Sequence, residues 1–109
     1  MDIVGIPFET FDLAGMAPEP KSGASGSATW RTVTRGNVRI RIVEYSPGYL
    51  ADHWCEKGHA VYVLEGEFES ELKDGRRSRL TPGMCYLVAD GAEPHRSSTA
   101  TGVKLLIVD

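Results

Sequence analysis

Hydrophobic and polar residues alternate along much of the chain from residue 28 onward. In the clearest example, Val38, Ile40 and Ile42 alternate with Arg39 and Arg41. A period of two is typical of a β-strand with one face in the core and the other in water. We therefore predict a strand here, with its valine and isoleucine side chains in the core and its arginine side chains in solvent.

Turn residues divide the rest of this region into similar short segments. Strands are predicted at 29–34, 38–45, 49–55, 59–64, 67–73, 76–80, 84–89, 95–99 and 103–108. Asp74-Gly75 is the strongest hairpin signal among the intervening turns. No segment of twelve or more residues has its apolar positions at helical spacing. Many short strands with regular turns predict an all-β sandwich or barrel.

The first 27 residues have a different composition. Residues 1–10 are predicted to form a short edge strand limited by Pro7. Residues 13–27, rich in glycine, alanine, proline and serine, are predicted to be a loop, either a mobile N-terminal arm or a wrap over the domain surface. The chain is thus divided into an N-terminal arm with an edge strand and loop (1–27) and one barrel domain (28–109).

Length and charge restrict the classes of function. The chain has 109 residues, enough for one domain with a core. Its formal charge of −3 argues against a nucleic-acid partner, which requires a concentrated basic face. No apolar run approaches the roughly 20 residues that span a bilayer, and the start lacks a secretory signal. We expect a cytoplasmic protein with a small-molecule ligand and no membrane partner.

All three histidines lie in two turn-bounded segments. His53 and His59 flank Cys55 in the first segment, and His95 lies in the second. Residues two apart on a strand share a face, so His53 and Cys55 should point together, with His59 if the intervening turn keeps the parity. Three imidazoles and one thiolate form a ligand set for divalent transition metals. We predict one metal site formed by these four residues.

The two cysteines leave alternatives open. Two cysteines in a chain of this size do not make a disulfide framework, and the position of Cys55 between histidines favours a thiolate ligand in a reducing compartment. The alternatives are a disulfide between Cys55 and Cys85, or two inert thiols. Cys85 itself is expected to be a small buried hydrophobic residue.

Four further side chains are candidates for lesser roles. Tyr62 and Tyr86 could donate a hydrogen bond to a substrate oxygen, although tyrosines on barrel strands are more often packing residues. Asp52 and Glu44 could orient a ligand histidine, and Glu44 is also a candidate substrate-binding residue. Both carboxylates equally fit solvent-facing strand positions.

The first histidine segment resembles the first motif of the cupin superfamily. That motif is a glycine, His-x-His, a glutamate a few residues later, and a closing glycine. Counted back from Gly66, the glutamate position falls on His59, the second histidine on Cys55 and the first on His53.

The second segment resembles the second cupin motif, which is a glycine, Pro-x-Gly and a histidine. Gly83 and Gly91 match, Ala89 stands at the proline position, and the histidine comes one residue late as His95. The whole resemblance covers roughly residues 40–109.

The chain also looks very like the small single-domain DHCW-motif cupins, here spelled Asp52-His53-Trp54-Cys55. The resemblance implies a cupin-type jelly-roll β-barrel, also called a double-stranded β-helix, with one metal inside. It also implies a homodimer paired through its sheets, for which the strand face of Ala60, Tyr62 and Leu64 is a plausible seam.

The resemblance and its departures indicate a class of function. A thiolate in place of the usual cupin carboxylate favours zinc, iron, nickel or copper over manganese. By analogy of fold, the implied function is a metal-dependent small-molecule enzyme of dioxygenase, isomerase or hydrolase type. A non-catalytic metal-binding, ligand-binding or redox-sensing protein is an alternative, and so is a barrel with a purely structural metal. An open coordination position beside a pocket would favour the enzyme.

Overall fold

The computed structural model describes residues 2–109 and is an all-β protein, as predicted. A short 3-10 turn, Leu13–Gly15, precedes nine strands. The strands are β1 (Glu19–Ser22), β2 (Ser27–Arg35), β3 (Val38–Tyr45), β4 (His59–Gly66), β5 (Phe68–Leu72), β6 (Arg77–Leu80), β7 (Cys85–Val88), β8 (His95–Ser98) and β9 (Val103–Val108). Among residues 2–109, no helix has the length and hydrophobicity needed to cross a bilayer.

The strands form two antiparallel sheets that enclose a single core. The larger sheet has the order β1-β2-β3-β9-β4-β7, and the smaller has the order β6-β5-β8. Because β9 lies between β3 and β4, the last strand of the chain is central in the larger sheet. The core is formed by Val43, Val61, Val63, Phe68, Leu80, Val103, Leu105 and Ile107. This arrangement confirms the predicted jelly-roll barrel.

Strand β3 presents the opposite face to the one predicted. Arg41 is only 5% exposed, and it shares the inward face with the fully buried Val43. Ile40 and Ile42 are half-buried on the outward face. The alternation correctly indicated a strand but not which face enters the barrel. The arginines face inward because this end of the interior is a polar cavity, and Asp109 provides a carboxylate there for both of them.

The outward face of β3 is partly covered by residues 2–18, the described part of the N-terminal arm that precedes β1. The Leu13–Gly15 turn contacts both β2 and β3. Arg35 on β2 donates to both carboxylate oxygens of Glu9 at 3.1 and 3.2 Å. Residues 2–10 form no strand, so the edge strand predicted at 1–10 is wrong for these residues, and residue 1 lies outside the described part of the chain. The edge strand of the larger sheet is β1, which lies within the predicted loop and pairs with β2.

The segment at 49–55 is not the strand that was predicted. Leu50 makes isolated bridges to Ser25 and to Ser98, and Cys55 makes one to His95. Ser98 belongs to the smaller sheet, whereas Ser25 lies beside the larger one, so the chain here crosses between the sheets. A crossing segment pairs at single points and bends between them. The alternation of a regular strand therefore does not predict which residues of this segment point to the same face.

Candidate metal centre

Three elements bring metal-binding side chains together at one end of the barrel interior. His59 begins β4 on the same face as the buried Val61, and His95 begins β8 and is 3% exposed. Cys55 is paired with His95 by two backbone hydrogen bonds, of 2.7 and 3.0 Å. The possible ligand atoms of Cys55, His59 and His95 all lie within 4.8 Å of one another. Such a group of one thiol and two imidazoles could hold a metal ion.

The two histidines face each other through their Nε2 atoms, which are 2.9 Å apart. The Nδ1 of His95 lies 2.9 Å from the carbonyl oxygen of Glu93, which can only accept, so Nδ1 carries the proton. The Nδ1 of His59 is buried and lies 3.5 Å from Oδ2 of Asp109, too far for a good hydrogen bond. The tautomer with its proton on Nδ1, which faces this oxygen, is the one in which His59 can ligate a metal through Nε2. Both Nε2 lone pairs are then directed at the same small space.

The environment keeps His59 neutral. Burial, reinforced by His95, lowers the pKa of His59 to about 4, although Asp109 opposes the shift. The hydroxyl of Tyr86 lies 3.4 Å from Nε2 of His59. Burial raises the pKa of Tyr86, so its phenol stays protonated at neutral pH and can donate. The His59 imidazole is therefore uncharged at pH 7 and suited to ligating a cation.

The structure does not bring His53 into this group. Its side chain is 75% exposed, and its Nδ1 lies 2.7 Å from Oδ1 of Asp52. The chain bends at these two residues, and the His53 imidazole borders the cavity without joining the three grouped side chains. Asp52 thus contacts His53 rather than one of the three grouped side chains.

The remaining candidates are divided between the inside and the outside of the barrel. Tyr86 lines the cavity, whereas Tyr62 is 43% exposed on the outward face of β4. Glu44 is exposed on β3, 3.7 Å from Lys104. Cys85 is exposed on β7, so the expectation of a buried thiol is wrong, because its strand position faces outward. Both cysteines are free, which excludes the alternative disulfide.

A cavity of about 290 Å³ opens beside the three grouped side chains. Its walls combine the aromatic rings of Trp30, Tyr45 and Tyr49 with the guanidinium groups of Arg39, Arg41 and Arg96. The rings of Tyr45 and Tyr49 are stacked with their centroids 4.0 Å apart. A concave site of mixed polarity and this volume is at the lower end of the range for small-molecule sites.

Asp109, which the sequence analysis did not single out, supports the cavity from behind. It continues the inward face of β9, and its side chain is 2% exposed. It accepts two hydrogen bonds of 2.8 Å from Arg39 and one of 3.1 Å from Arg41. Burial alone would raise the pKa of Asp109, but these hydrogen bonds and the two positive charges lower it below its ordinary value. Every second residue of β9 points inward, and continuing this alternation from Ile107 would have predicted that the Asp109 side chain points inward.

Comparisons with known proteins give structural neighbours. No protein-family model matches the chain, and no curated protein matches it. Polyketide cyclase RemF from Streptomyces resistomycificus is similar with a TM-score of 0.78 and 24% identity, over 94% of this chain and 78% of that one. A predicted oxalate decarboxylase from Thermotoga maritima has a TM-score of 0.78 and 17% identity, over 92% and 96%. A cupin-2 domain from Rhodospirillum rubrum has a TM-score of 0.72 and 18% identity, over 94% and 74%.

Proposed function

Because this chain has the jelly-roll fold of the cupin superfamily, we propose that it binds one divalent transition metal through Cys55, His59 and His95. The observation that carries the proposal is the 2.9 Å separation of the two Nε2 atoms. With a proton on each Nδ1, both Nε2 lone pairs point into the same space, where one cation would be bound by both imidazoles. Adjacent nitrogens bound to one metal at about 2.0–2.1 Å lie roughly 3 Å apart, in agreement with this spacing.

The donor set indicates which metals fit. One thiolate with two neutral imidazoles is softer than the usual carboxylate-containing cupin set and favours zinc, iron, nickel or copper. The exposed imidazole of His53 is not included in the set. Glu93 orients His95 through its carbonyl oxygen, and Asp109 lies behind His59, as carbonyl and carboxylate partners do in many metal sites.

We further propose that the protein is a metal-dependent enzyme acting on a small molecule. A structural zinc site is closed by four protein ligands, whereas the group found among residues 2–109 has three and lies beside a cavity. When bound, the metal would supply Lewis-acid or redox activation. The structural neighbours include proteins described as a polyketide cyclase, a sugar phosphate isomerase and a predicted oxalate decarboxylase, which supports small-molecule chemistry by analogy of fold.

The residues of the cavity have distinct parts in this proposal. Tyr86 has a protonated phenol beside His59 and is placed to donate a hydrogen bond to a substrate oxygen. The rings of Trp30, Tyr45 and Tyr49 exclude water from the walls, which strengthens polar contacts inside. Isomerase, dioxygenase and hydrolase chemistry all agree with this arrangement.

Metal content tests the proposal with a matched pair of histidine variants. Purified protein, metal-free protein reloaded with zinc, His95→Ala and His53→Ala would be analysed by mass spectrometry. We expect about one metal per chain in the wild type and in His53→Ala, and a loss of most of it in His95→Ala. Circular dichroism would establish that each variant is folded. Equal loss in both variants would contradict the ligand set, and a wild type that binds no metal would refute the proposed function.

A further inference from the structure

The cavity walls carry positive charge that no acidic side chain in the same walls balances. Arg39, Arg41 and Arg96 line the cavity, and no aspartate or glutamate among the described residues does. Arg96 is paired with Glu71 at 2.6 Å. Arg39 and Arg41 share the single carboxylate of Asp109, which lies behind them. One positive charge is therefore left over beside the cavity.

Arg41 has donor capacity that the protein does not use. Its side chain is 6% exposed, but among residues 2–109 it makes one hydrogen bond, from Nη2 to Asp109. Its Nε is buried without a partner in this part of the chain. Arg39, in contrast, is bound through both Nε and Nη2 to the same carboxylate at 2.8 Å. A buried donor of a charged group without an acceptor is costly, so Arg41 is the guanidinium that gains most from an anionic ligand.

The surroundings of Arg41 fix its position close to the grouped side chains. Its guanidinium carbon lies 4.4 Å from the centroid of Trp30, a distance at which the ring holds a cation by a cation–π interaction. The same Oδ2 atom of Asp109 contacts both Arg41 Nη2 and His59 Nδ1. A small ligand could therefore reach the arginine and the three grouped side chains at once.

From this arrangement we propose that the substrate is a small organic acid whose carboxylate accepts hydrogen bonds from Arg41 while another part of it faces Cys55, His59 and His95. The planar fork of a guanidinium matches a carboxylate, and aromatic walls suit a compact carbon skeleton. The proposal names a substrate class for the function proposed above and rests on that function. Arg41 is in this view a substrate-binding residue.

Matched ligand pairs test the proposal by calorimetry. Benzoate, its uncharged analogue benzamide, and inorganic phosphate would each be titrated into the full chain, zinc-loaded and after treatment with EDTA. We expect benzoate to bind about tenfold or more tightly than benzamide, in keeping with the strength of a charged hydrogen bond. Phosphate bound as tightly as benzoate would overturn the carboxylate assignment in favour of a general anion site.

Variants of Arg41 test whether this residue causes the preference for benzoate over benzamide. Arg41→Met is expected to lose about tenfold or more in benzoate affinity, with benzamide affinity unchanged, and Arg41→Lys to lose less. The control is Arg79→Met, because Arg79 is 68% exposed on β6 and outside the cavity. Unchanged benzoate affinity in Arg41→Met would overturn the proposal.

A measurement on the wild type covers the case in which Arg41 variants do not fold. In a nitrogen-15 NMR spectrum, the Nε–H signal of Arg41 should move on addition of benzoate and stay in place with benzamide. A signal that does not move would overturn the proposal.

Zinc content measured on the same samples separates the carboxylate-site proposal from the metal-site proposal. Zinc bound without a carboxylate preference contradicts the carboxylate site alone, and a carboxylate preference without zinc binding contradicts the metal proposal alone.

Discussion

Replacing Asp109 with asparagine removes the negative charge that pairs with Arg39 and Arg41 in the barrel interior. Three charge-assisted hydrogen bonds, two from Arg39 and one from Arg41, end on this one carboxylate. The asparagine side chain has nearly the same shape but only one acceptor oxygen and no charge. Asp109→Asn therefore leaves the buried Arg41 without a counter-charge while leaving the packing almost unchanged.

The cost of this change can be worked from the burial of the partners. Removing one member of a buried ion pair costs about 3–5 kcal/mol. Arg39 is one-third exposed, so water can compensate part of its loss, whereas Arg41 is 6% exposed and cannot be compensated in this way. We therefore expect the lower end, about 3 kcal/mol, which is a large part of a total stability of about 5–15 kcal/mol. The expected fall in Tm is roughly 12–24 °C.

Urea denaturation and calorimetry at pH 7, with EDTA present so that metal binding does not contribute, would measure this loss. The control is Glu44→Gln, since Glu44 forms an exposed pair with Lys104 at 3.7 Å. That variant should change the free energy of unfolding by less than about 1 kcal/mol. If Asp109→Asn also stays within about 1 kcal/mol of the wild type, the reasoning about a buried charge network is refuted.

Three other predictions concern acid stability, assembly and the core. The pKa of His59 is about 4 in the folded protein and 6.5 ordinarily, so the free energy of unfolding of the metal-free protein should decrease as the pH falls from 6.5 towards 4. His59→Gln should lose less stability over this range. An equal dependence of unfolding free energy on pH in the two proteins would contradict this. We propose the outward face of β4 and β7, where Tyr62 is 43% and Leu87 is 82% exposed, as the seam of a homodimer. Light scattering should then give a dimer for the wild type and a monomer for Leu87→Lys, and a monomeric wild type would count against the seam. Leu105→Ala should cost about 2–5 kcal/mol in urea denaturation, because Leu105 is fully buried, and the half-exposed Leu64→Ala should cost clearly less.

Local patterning was enough to predict the all-β class and eight of the nine strands, but it missed β1, predicted strands at 1–10 and 49–55 that residues 2–10 and 49–55 do not form, and did not orient every strand. Either face of β3 could face the barrel interior, because one carries branched apolar side chains and the other carries arginines, which can be buried when a carboxylate pairs with them. That partner is Asp109, which is 70 residues from Arg39 in the chain. The covering of the outward face by the N-terminal arm is equally non-local. Neither contact leaves a signal within the strand itself.

The candidate site was predictable where it depended on spacing and not where it depended on local backbone shape. Counting back from Gly66 singled out Cys55 and His59, and the second motif singled out His95, which the structure brings together. His53 was grouped with Cys55 by strand parity, but the chain bends at Asp52 and His53 and forms no strand there. The role of Arg41 could not be inferred, because an arginine in an alternating strand usually faces solvent.

The central claim, that a Cys55 thiolate and two imidazoles hold one divalent metal, is tested most directly by titrating cobalt(II) into metal-free protein. Cobalt(II) bound to a thiolate has a charge-transfer band in the near ultraviolet, so the band reports the sulfur ligand itself. We predict a band that saturates at about one equivalent in the wild type. It should be absent in Cys55→Ser and retained in Cys85→Ser, since Cys85 is exposed on the outward face of β7. A band that persists in Cys55→Ser, or no band in the wild type, would contradict the account.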